Sequence, residues 1–510
     1  MIEFKTRIYF YHDAAWHLCP DVMMEPAPSW EGGLIGAAAM DLVATTGILM
    51  FSLDNSETNS EELAGYYSPG HTNCPAWFTD GLKVKVVCER QDTMVSSTRF
   101  LGEMVKAKPT SGVYEQATTE VKCHDWMEYV STQKVGLLAI LSNKRADEAL
   151  TAALANFPIQ PEATDFDAGI ETFPLVFNTD DGMKMTMASL FQKMARNEGG
   201  GYIYLTGDGT LTFNNRHFRP LTVASAFALD ATGTTPMNAL DIAWDRQFIK
   251  NRVECETFPA RTDSTATTVL WKLQQSFGLS PGQELIITCP LRDPATGKRI
   301  SATDIVDPLV SNTHIKFGSL NDGASNDLIA NLTFPMVVGG NFVEITLTNT
   351  GAATGYVNFI EIKGKGIYTY EPLTLEAEDA ASIATKGEKI LNVKVEQITN
   401  PNTAQAMATS LLQQNLDPAA VMENVRFLAN FDDDFATAAL TAEVNTRFSL
   451  IEAQTGLDVS AFICRLKYTQ EGPLLWVDII PSIGLSSTAG VNWFIYDLAG
   501  HGWDEGVYIF

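Results

Sequence analysis

The sequence predicts a mainly β protein with α+β portions, and three stretches carry that expectation. Residues 81–89 (GLKVKVVCE) alternate, with Leu82, Val84 and Val86 on one face and Lys83 and Lys85 on the other, the period-two pattern of a half-buried strand. Residues 183–216 place Met183, Met187, Leu190, Phe191 and Met194 at helical spacing, then Gly199, Gly200 and Gly201, then two alternating runs around Gly207-Asp208-Gly209. That order is an amphipathic helix feeding a β-hairpin, because Asp-Gly tolerates the positive φ of a tight turn. Residues 341–351 and 355–368 alternate on either side of Asn349-Thr350-Gly351, which predicts paired strands of an antiparallel sandwich.

Length and composition set the limits. A chain of 510 residues predicts roughly two to four domains at ~100–200 residues each. Hydrophobic content of 45% against 19% charged is that of a folded chain. The net charge is −26, from 35 basic and 61 acidic residues with no basic run; this excludes tight nucleic-acid binding, which needs clustered Lys and Arg. A negative wall does suit a conduit along which DNA slides without sticking. The seven cysteines (Cys19, Cys74, Cys88, Cys123, Cys255, Cys289 and Cys464) contain no CxxC pair, so free, buried thiols and synthesis in a reducing cytoplasm are expected. The N-terminal residues show no apolar h-region, and none of a signal peptide is expected. Residues 33–53 are interrupted by Asp41, Thr45 and Thr46, too polar for a membrane span; they read as a loop followed by a strand over 48–53, in a soluble protein.

In chain order, residues 1–130 read as many short strands. Phe4, Arg7, Tyr9 and Tyr11 lie in an extended run, Pro26, Pro28, Gly32 and Gly33 mark a loop, and residues 65–70 (GYYSPG) form a surface turn. Residues 99–109 and 118–130 add strands, the second leading into a helix. Residues 147–157 (DEALTAALANF) predict a helix with Leu150, Ala153 and Leu154 inward and Pro158 beyond its end. The helix after Met183 has Asn178, Thr179 and Asp180 as upstream caps and Arg196 in its last turn. Residues 241–256 predict a strand pair. Leu391, Val393 and Val395 alternate; after Pro401 and the cap Asn402, residues Ala404, Met407, Ala408, Leu411 and Leu412 define one helical face. Residues 444–480 read as strand, TGL turn, strand, Gly-Pro turn and strand. The last residues are aromatic (Trp493, Phe494, Tyr496, Trp503, Tyr508 and Phe510), either an interface segment or a final strand.

These pieces, in this order, resemble the tail hub and tail-tip proteins of long-tailed bacteriophages. For the first barrel of that family the matching residues are Phe51, Leu53, Asp54 and Asn55, then Tyr67, Ser68 and Pro69, then Gly81, Val84 and Val86, and finally Phe100, Gly102, Val121, Cys123 and Asp125. The run GGGYIYLTGDGTLTFNNR at 199–216 extends the likeness. For the second barrel they are Asn400, Pro401, Ala404, Ala408 and Leu411, then Thr455, Gly456, Leu457, Phe462 and Trp476. The resemblance implies two hub-type β-barrels: a first at 1–130, a helical and hairpin domain at 131–262 with strands returning to that barrel, an inserted β-sandwich at 263–370, a second barrel with its helix at 371–482, and the aromatic segment 483–510. It implies a virion protein at the tail tip, a homotrimeric ring closing the tail tube. Its partners would be distal tail and tube proteins, the tape-measure protein, and tail fibre or receptor-binding proteins, with DNA passing through the lumen. The sandwich reads as a structural spacer or, by fold analogy alone, as a glycan contact. The rival reading is a carbohydrate-binding or carbohydrate-active surface protein.

No catalytic, cofactor-binding or metal-binding residues are predicted. Gly278-Leu279-Ser280-Pro281-Gly282 matches GxSxG, but the nucleophile elbow needs the N–H after the serine and proline has none. His12 and His17 lack HExxH spacing, and His124-Asp125 reads as a structural pair. Asp432, Asp433 and Asp434 diverge as neighbours in any regular element and read as a solvated loop. Asp180-Asp181-Gly182 lacks the spacing of a calcium loop, and residues 295–299 (ATGKR) lack the upstream glycine of a phosphate loop.

Overall fold

The computed structural model describes residues 2–110, 116–136, 138–177, 185–230, 237–243, 249–307, 309–321, 326–416, 421–454, 456–483, 493–494 and 507–508. The proposed caps Asn178 to Asp180, the Asp180-Asp181-Gly182 run and most of the aromatic C-terminus lie outside these residues. The chain is mainly β, as the alternating runs predict, with helices confined to a few segments.

One large sheet dominates. Its strands are β1 (Phe4–His12), β2 (Ala15–Leu18), β3 (Val22–Met23), β4 (Ser29–Leu34), β5 (Ala44–Asp54), β6 (Lys83–Arg90), β7 (Ser96–Pro109) and β8 (Thr118–Asp125), followed by β9 (Phe227–Asp230), β10 (Met237–Ala243), β11 (Val421–Leu428), β12 (Arg447–Glu452), β13 (Leu457–Glu471) and β14 (Leu474–Ile483). The order runs β10-β11-β14-β13-β4-β5-β8-β7-β6-β1-β2, with β12 also on β13, β9 on β12 and β3 on β5. Among the described residues the ladder does not close on itself. The two barrel portions anticipated from the sequence are therefore halves of one continuous sheet. The halves repeat: β4-β5-β8-β7-β6-β1 in the first has the same order as β10-β11-β14-β13-β12-β9 in the second. The chain order of the strands also corresponds. The last pairing differs in sense, antiparallel for β1–β6 and parallel for β9–β12.

The halves share one apolar core. Phe51, Val84, Val86 and Val121 from the first meet Phe427, Phe448, Val477 and Ile479 from the second. Tyr67, in the turn read as a surface feature, is buried in this core, and its hydroxyl donates to Asp21 at 2.7 Å. Six of the seven cysteines are buried and all are free, as expected.

Several expectations need correction. Gly32 and Gly33 do not end in a loop but lie within β4, the strand that joins the halves. A Cβ on Gly33 would stand 2.4 Å from the Cys464 carbonyl oxygen, and its φ is +132°. Glycine there permits a close backbone approach and a bulge, so the residue that reads as a turn former is a packing requirement. The strands over 227–243 do not return to the first half: β9 pairs with β12 and β10 with β11, both in the second. Residues 241–256 are not a strand pair, because Arg252–Thr257 pairs with Leu373–Glu378 and Ile390–Val395 in a separate sheet. Asn349-Thr350-Gly351 joins strands of different sheets: Phe342–Asn349 pairs with Glu284–Pro290, and Gly355–Thr369 with Thr268–Lys272 and Ile315–Gly318. Asp432 is an N-cap, accepting from the Phe435 N–H at 2.9 Å, and Asp433 and Asp434 fill the first turn of the helix Asp433–Thr441. Carboxylates favour that end of a helix.

A second core holds the helices. The helix Met187–Asn197 is capped by Thr186, which accepts from the Ser189 N–H at 3.2 Å. Its stripe of Met187, Leu190, Phe191 and Met194 is fully buried. The helix Pro401–Asn415 is capped by Asn400 rather than Asn402, because proline suits the first helical position. Ala404, Met407, Ala408, Leu411 and Leu412 face inward as predicted. This helix and the strand Ile390–Val395 share their core with the 187–197 helix, and of β11 to β14 only Cys464 on β13 joins them among the described residues. Residues 270–362 have a third core of their own, between a six-stranded and a four-stranded sheet.

Gly33→Ala should lower the unfolding free energy by about 1–3 kcal/mol, the usual cost of forcing atoms into a filled space. Gly32→Ala, with nothing within 4 Å of its Cβ position, should stay within about 0.5 kcal/mol of wild type. Urea unfolding of the pair checks this.

Candidate functional site

The place where the chain concentrates polar chemistry is the junction between the halves. Residues 465–469 of β13 pair antiparallel with Gly33 to Ser29 of β4, and β13 therefore points alternate side chains to opposite sides. Leu466 and Tyr468 go inward, while Arg465, Lys467 and Thr469 face outward.

On the inner side, Tyr468 stacks on Trp30 with ring centroids 5.3 Å apart and planes at 6°. Arg99, from β7, reaches in behind them and is 5% exposed. Its guanidinium donates to Glu443 at 2.6 Å, to the Tyr468 hydroxyl at 2.7 Å and to the Leu440 carbonyl at 3.2 Å, and also to the Ala442 carbonyl. Glu443 in turn accepts from the Gly207 N–H at 3.3 Å. That glycine turns the hairpin of Tyr202–Leu205 and Thr210–Asn214, which also touches the first half where the Ile203 N–H donates to the Leu42 carbonyl at 2.9 Å. Arg219 lies 3.8 Å over the Tyr202 ring and donates to Asn445 at 2.9 and 2.7 Å. The hairpin thus clasps both halves. Burial pushes the Glu443 carboxyl up, and the Arg99 charge works against that push.

Nearby, Asp125 accepts from the Met127 N–H at 3.0 Å and from the Gly47 N–H. Burial raises its carboxyl to about 7 against those two hydrogen bonds. Glu198, fully buried at the end of the 187–197 helix, is likewise raised to about 7 by burial, with Ile170 N–H and Arg216 opposing.

On the outer side, β4, β11, β13 and β14 form a shallow depression of about 370 Å³ lined by Glu31, Asn424, Arg426, Arg465, Lys467, Thr469, Glu471, Asp478 and Ile480. Arg465 pairs with Glu31 at 2.7 Å, and Arg426 with Glu471 at 3.2 Å and Asp478 at 3.8 Å. Three bases and three acids balance within a chain of net charge −26.

The motifs set aside in the sequence have structural placements. Ser280 follows the strand Phe277–Leu279 in a turn, its N–H donating to Gln283 at 2.9 Å. His12 stacks between His17 and Trp77, at 4.0 and 4.3 Å, across the β1–β2 hairpin, a neighbourhood that helical spacing does not address. His124 lies 3.1 Å from Glu128. Asp293 folds the 293–298 turn by accepting from the Ala295 N–H at 2.9 Å and the Thr296 hydroxyl at 2.6 Å. Among the described residues no three His, Cys, Asp or Glu side chains come together as metal ligands, and no helix is long and apolar enough to cross a membrane. Sequence reasoning missed Arg99 and Glu443, since partners so far apart in the chain leave no local pattern.

No family model matches the chain, and no curated protein matches it. Among solved structures it is similar to the prophage MuSo2 43 kDa tail protein from Shewanella oneidensis, at 10% identity over 93% of this chain and 98% of that one, with a TM-score of 0.49. It is similar to the tail protein from Neisseria meningitidis MC58, at 9% identity over 95% and 98%, with a TM-score of 0.49. It is also similar to the prophage tail protein gp18 from Listeria monocytogenes EGD-e, at 9% identity over 93% of each chain, with a TM-score of 0.42.

Two predictions follow from the buried charges. Arg99→Met leaves the half-buried Glu443 carboxylate and the Leu440 carbonyl without their donor and should cost about 1–3 kcal/mol, of which Arg99→Met with Glu443→Gln should recover a part; urea unfolding of the single and double variants measures both. The raised carboxyls set a sign for pH: Asp125 and Glu198 hold protons in the folded chain up to about pH 7 but release them near pH 4 when unfolded. Their contribution is complete below the unfolded value and is lost as pH rises through 7. Asp125→Asn should therefore raise the melting temperature relative to wild type at pH 8 and lose most of that advantage at pH 5, read by thermal scans at both.

Proposed function

We propose that this chain is a structural protein of a phage tail tip, a baseplate hub that forms a homotrimeric ring. The observation that carries the reading is the repeated strand order of the large sheet, β4-β5-β8-β7-β6-β1 and β10-β11-β14-β13-β12-β9. One chain offers two similar units joined edge to edge. A closed ring of three such chains presents six units, matching a sixfold tube while remaining threefold for whatever lies beyond it. The residues named above for the two hub barrels support the same reading.

In this role the protein closes the tail tube, holds the tape-measure protein, links the tube to tip and receptor-binding proteins, and gates the passage of DNA. Its work is architectural: the acidic chain repels phosphate and lets DNA pass. Light scattering after size exclusion, at micromolar concentration with and without purified tail partners, tests the reading. Rings of defined mass are expected; a protein that stays monomeric and binds none of those partners is not a hub.

The domain division is part of the proposal, with 263–370 as an outward sandwich. Its own core is separate from the others. Thr257 and Leu373 are antiparallel partners at its base, so the chain leaves and re-enters at one place. Deleting residues 261–372 and joining Ala260 to Leu373 through a short Gly-Ser linker should leave a folded protein that still forms rings and loses host attachment. A deletion variant that aggregates, or stays monomeric where the full chain assembles, would place the sandwich in the core assembly.

A further inference from the structure

The repeat between the halves extends beyond strand order to the register. β7 and β13 each carry a bulge against their following strand, between Met104 and Lys106 on β8 and between Ile463 and Arg465 on β14. Aligning the bulges aligns the strands: Lys106 stands where Arg465 stands, Ala107 where Leu466 stands, and Lys108 where Lys467 stands. The cross-strand partners correspond as well, Lys108 opposite Glu120 and Lys467 opposite Asp478. Both strands are long, and each uses its first part on the other edge in the same way. β7 pairs with β6 through residues 96–103 and β13 with β12 through residues 457–462.

Beyond that point the halves differ. On β13 the remaining edge, residues 465–469, is taken by β4. On β7 the equivalent stretch has no neighbouring strand on that edge among the described residues. The Thr110 N–H donates to the Thr118 carbonyl across β8 at 2.8 Å, so by alternation Ala107 and Pro109 turn their backbone groups to the open edge. The Gln470 N–H, which donates to the Pro28 carbonyl at 3.0 Å, has the same parity on β13. The counterpart of β4 is β10, which among the described residues pairs with β11 alone and so also has an open edge. Within one chain β10 and β7 stand at separate places along the sheet, with β11, β14, β13, β4, β5 and β8 between them.

We propose that residues 105–109 of β7 pair antiparallel with β10 of the next copy, repeating between chains the β13–β4 junction made within each chain. The proposal rests on the ring reading above and names its subunit contact. Such a contact is head-to-tail, uses two different surfaces, and continues the sheet from chain to chain until the ring closes. Lys106, Lys108 and Pro109 are exposed; lysine and proline on an open edge discourage indiscriminate strand addition. Asp241 is exposed on β10 and supplies an acid to the lysine pair, as Glu31 of β4 does for Arg465. Pro109 stands at the position of Tyr468 and brings no N–H, so the contact between chains has one backbone bond fewer than the contact within the chain. A subunit contact weaker than the internal junction lets monomers fold before they assemble.

Hydrogen exchange read by mass spectrometry on the full chain, as monomer and as assembled ring, tests this. Peptides covering 104–110 and 237–243 should gain protection on assembly, and the double variant Lys106→Glu, Lys108→Glu should weaken assembly by about tenfold or more with the monomer's melting temperature unchanged. Rings that form while both peptides exchange as in the monomer, or a double variant that assembles like wild type, would overturn the proposed contact and leave the hub reading standing. A chain that assembles under no condition, with or without tail partners, overturns the hub reading and this contact with it.

Discussion

The structure depends on the pairing of β13 with β4. A strand placed inside a sheet must satisfy backbone groups on both edges, and β4 does so by taking β5 from its own half and β13 from the other. Residues near the N-terminus are thereby bonded to residues near position 465. Everything that stabilises the junction follows from that contact. Gly33 lets the backbones approach, Trp30 and Tyr468 stack across it, and Arg99 satisfies the carbonyls and the Glu443 carboxylate behind it. A buried guanidinium is costly without such partners, so Arg99 specifies one arrangement of the halves. The hairpin that Glu443 holds through Gly207 then fixes the helical core against both.

Much of this was legible where the signal was local. The alternation at 81–89 gave β6, the stripe of Met187, Leu190, Phe191 and Met194 gave a helix, and Gly207-Asp208-Gly209 gave its hairpin, because each pattern is set by neighbours a few residues away. What failed to show was set by distant partners. Gly32-Gly33 looks like a turn because glycine serves turns and close approaches alike, and only the position of Cys464 distinguishes them. The destination of β9 and β10 is decided by β12 and β11, far along the chain. Asn349-Thr350-Gly351 has the chemistry of a hairpin turn, yet the chain there steps from one sheet to the other. The junction site was legible in the same uneven way: Leu466 and Tyr468 against Arg465 and Lys467 show an alternating strand, while Arg99 in 99–109 carries no mark of the carboxylate it will meet.

The two halves share topology and a bulge but few side chains. Lys106 and Lys108 match Arg465 and Lys467 in charge, and Glu120 matches Asp478, whereas Ala107 and Pro109 replace Leu466 and Tyr468. The outward positions keep their character and the inward ones do not. That is the pattern expected where repeated units face one environment on the outside and different packing within: in the second half Tyr468 must meet Trp30, a demand that Pro109 does not face inside its own chain.

The chain leaves the large sheet after β10 and returns at β11, and the sandwich and the three-stranded sheet lie between. β10 and β11 are neighbours in the ladder but are made far apart in time. During synthesis β10 emerges and waits, unpaired, until the whole intervening segment has been translated. Contacts of such long sequence separation close slowly, because loop-closure entropy is paid before they give anything back. The first half, β1 to β8, has no such wait and can condense while the ribosome is still working. The second half is then the slow step of folding, and its strands are the ones left exposed longest.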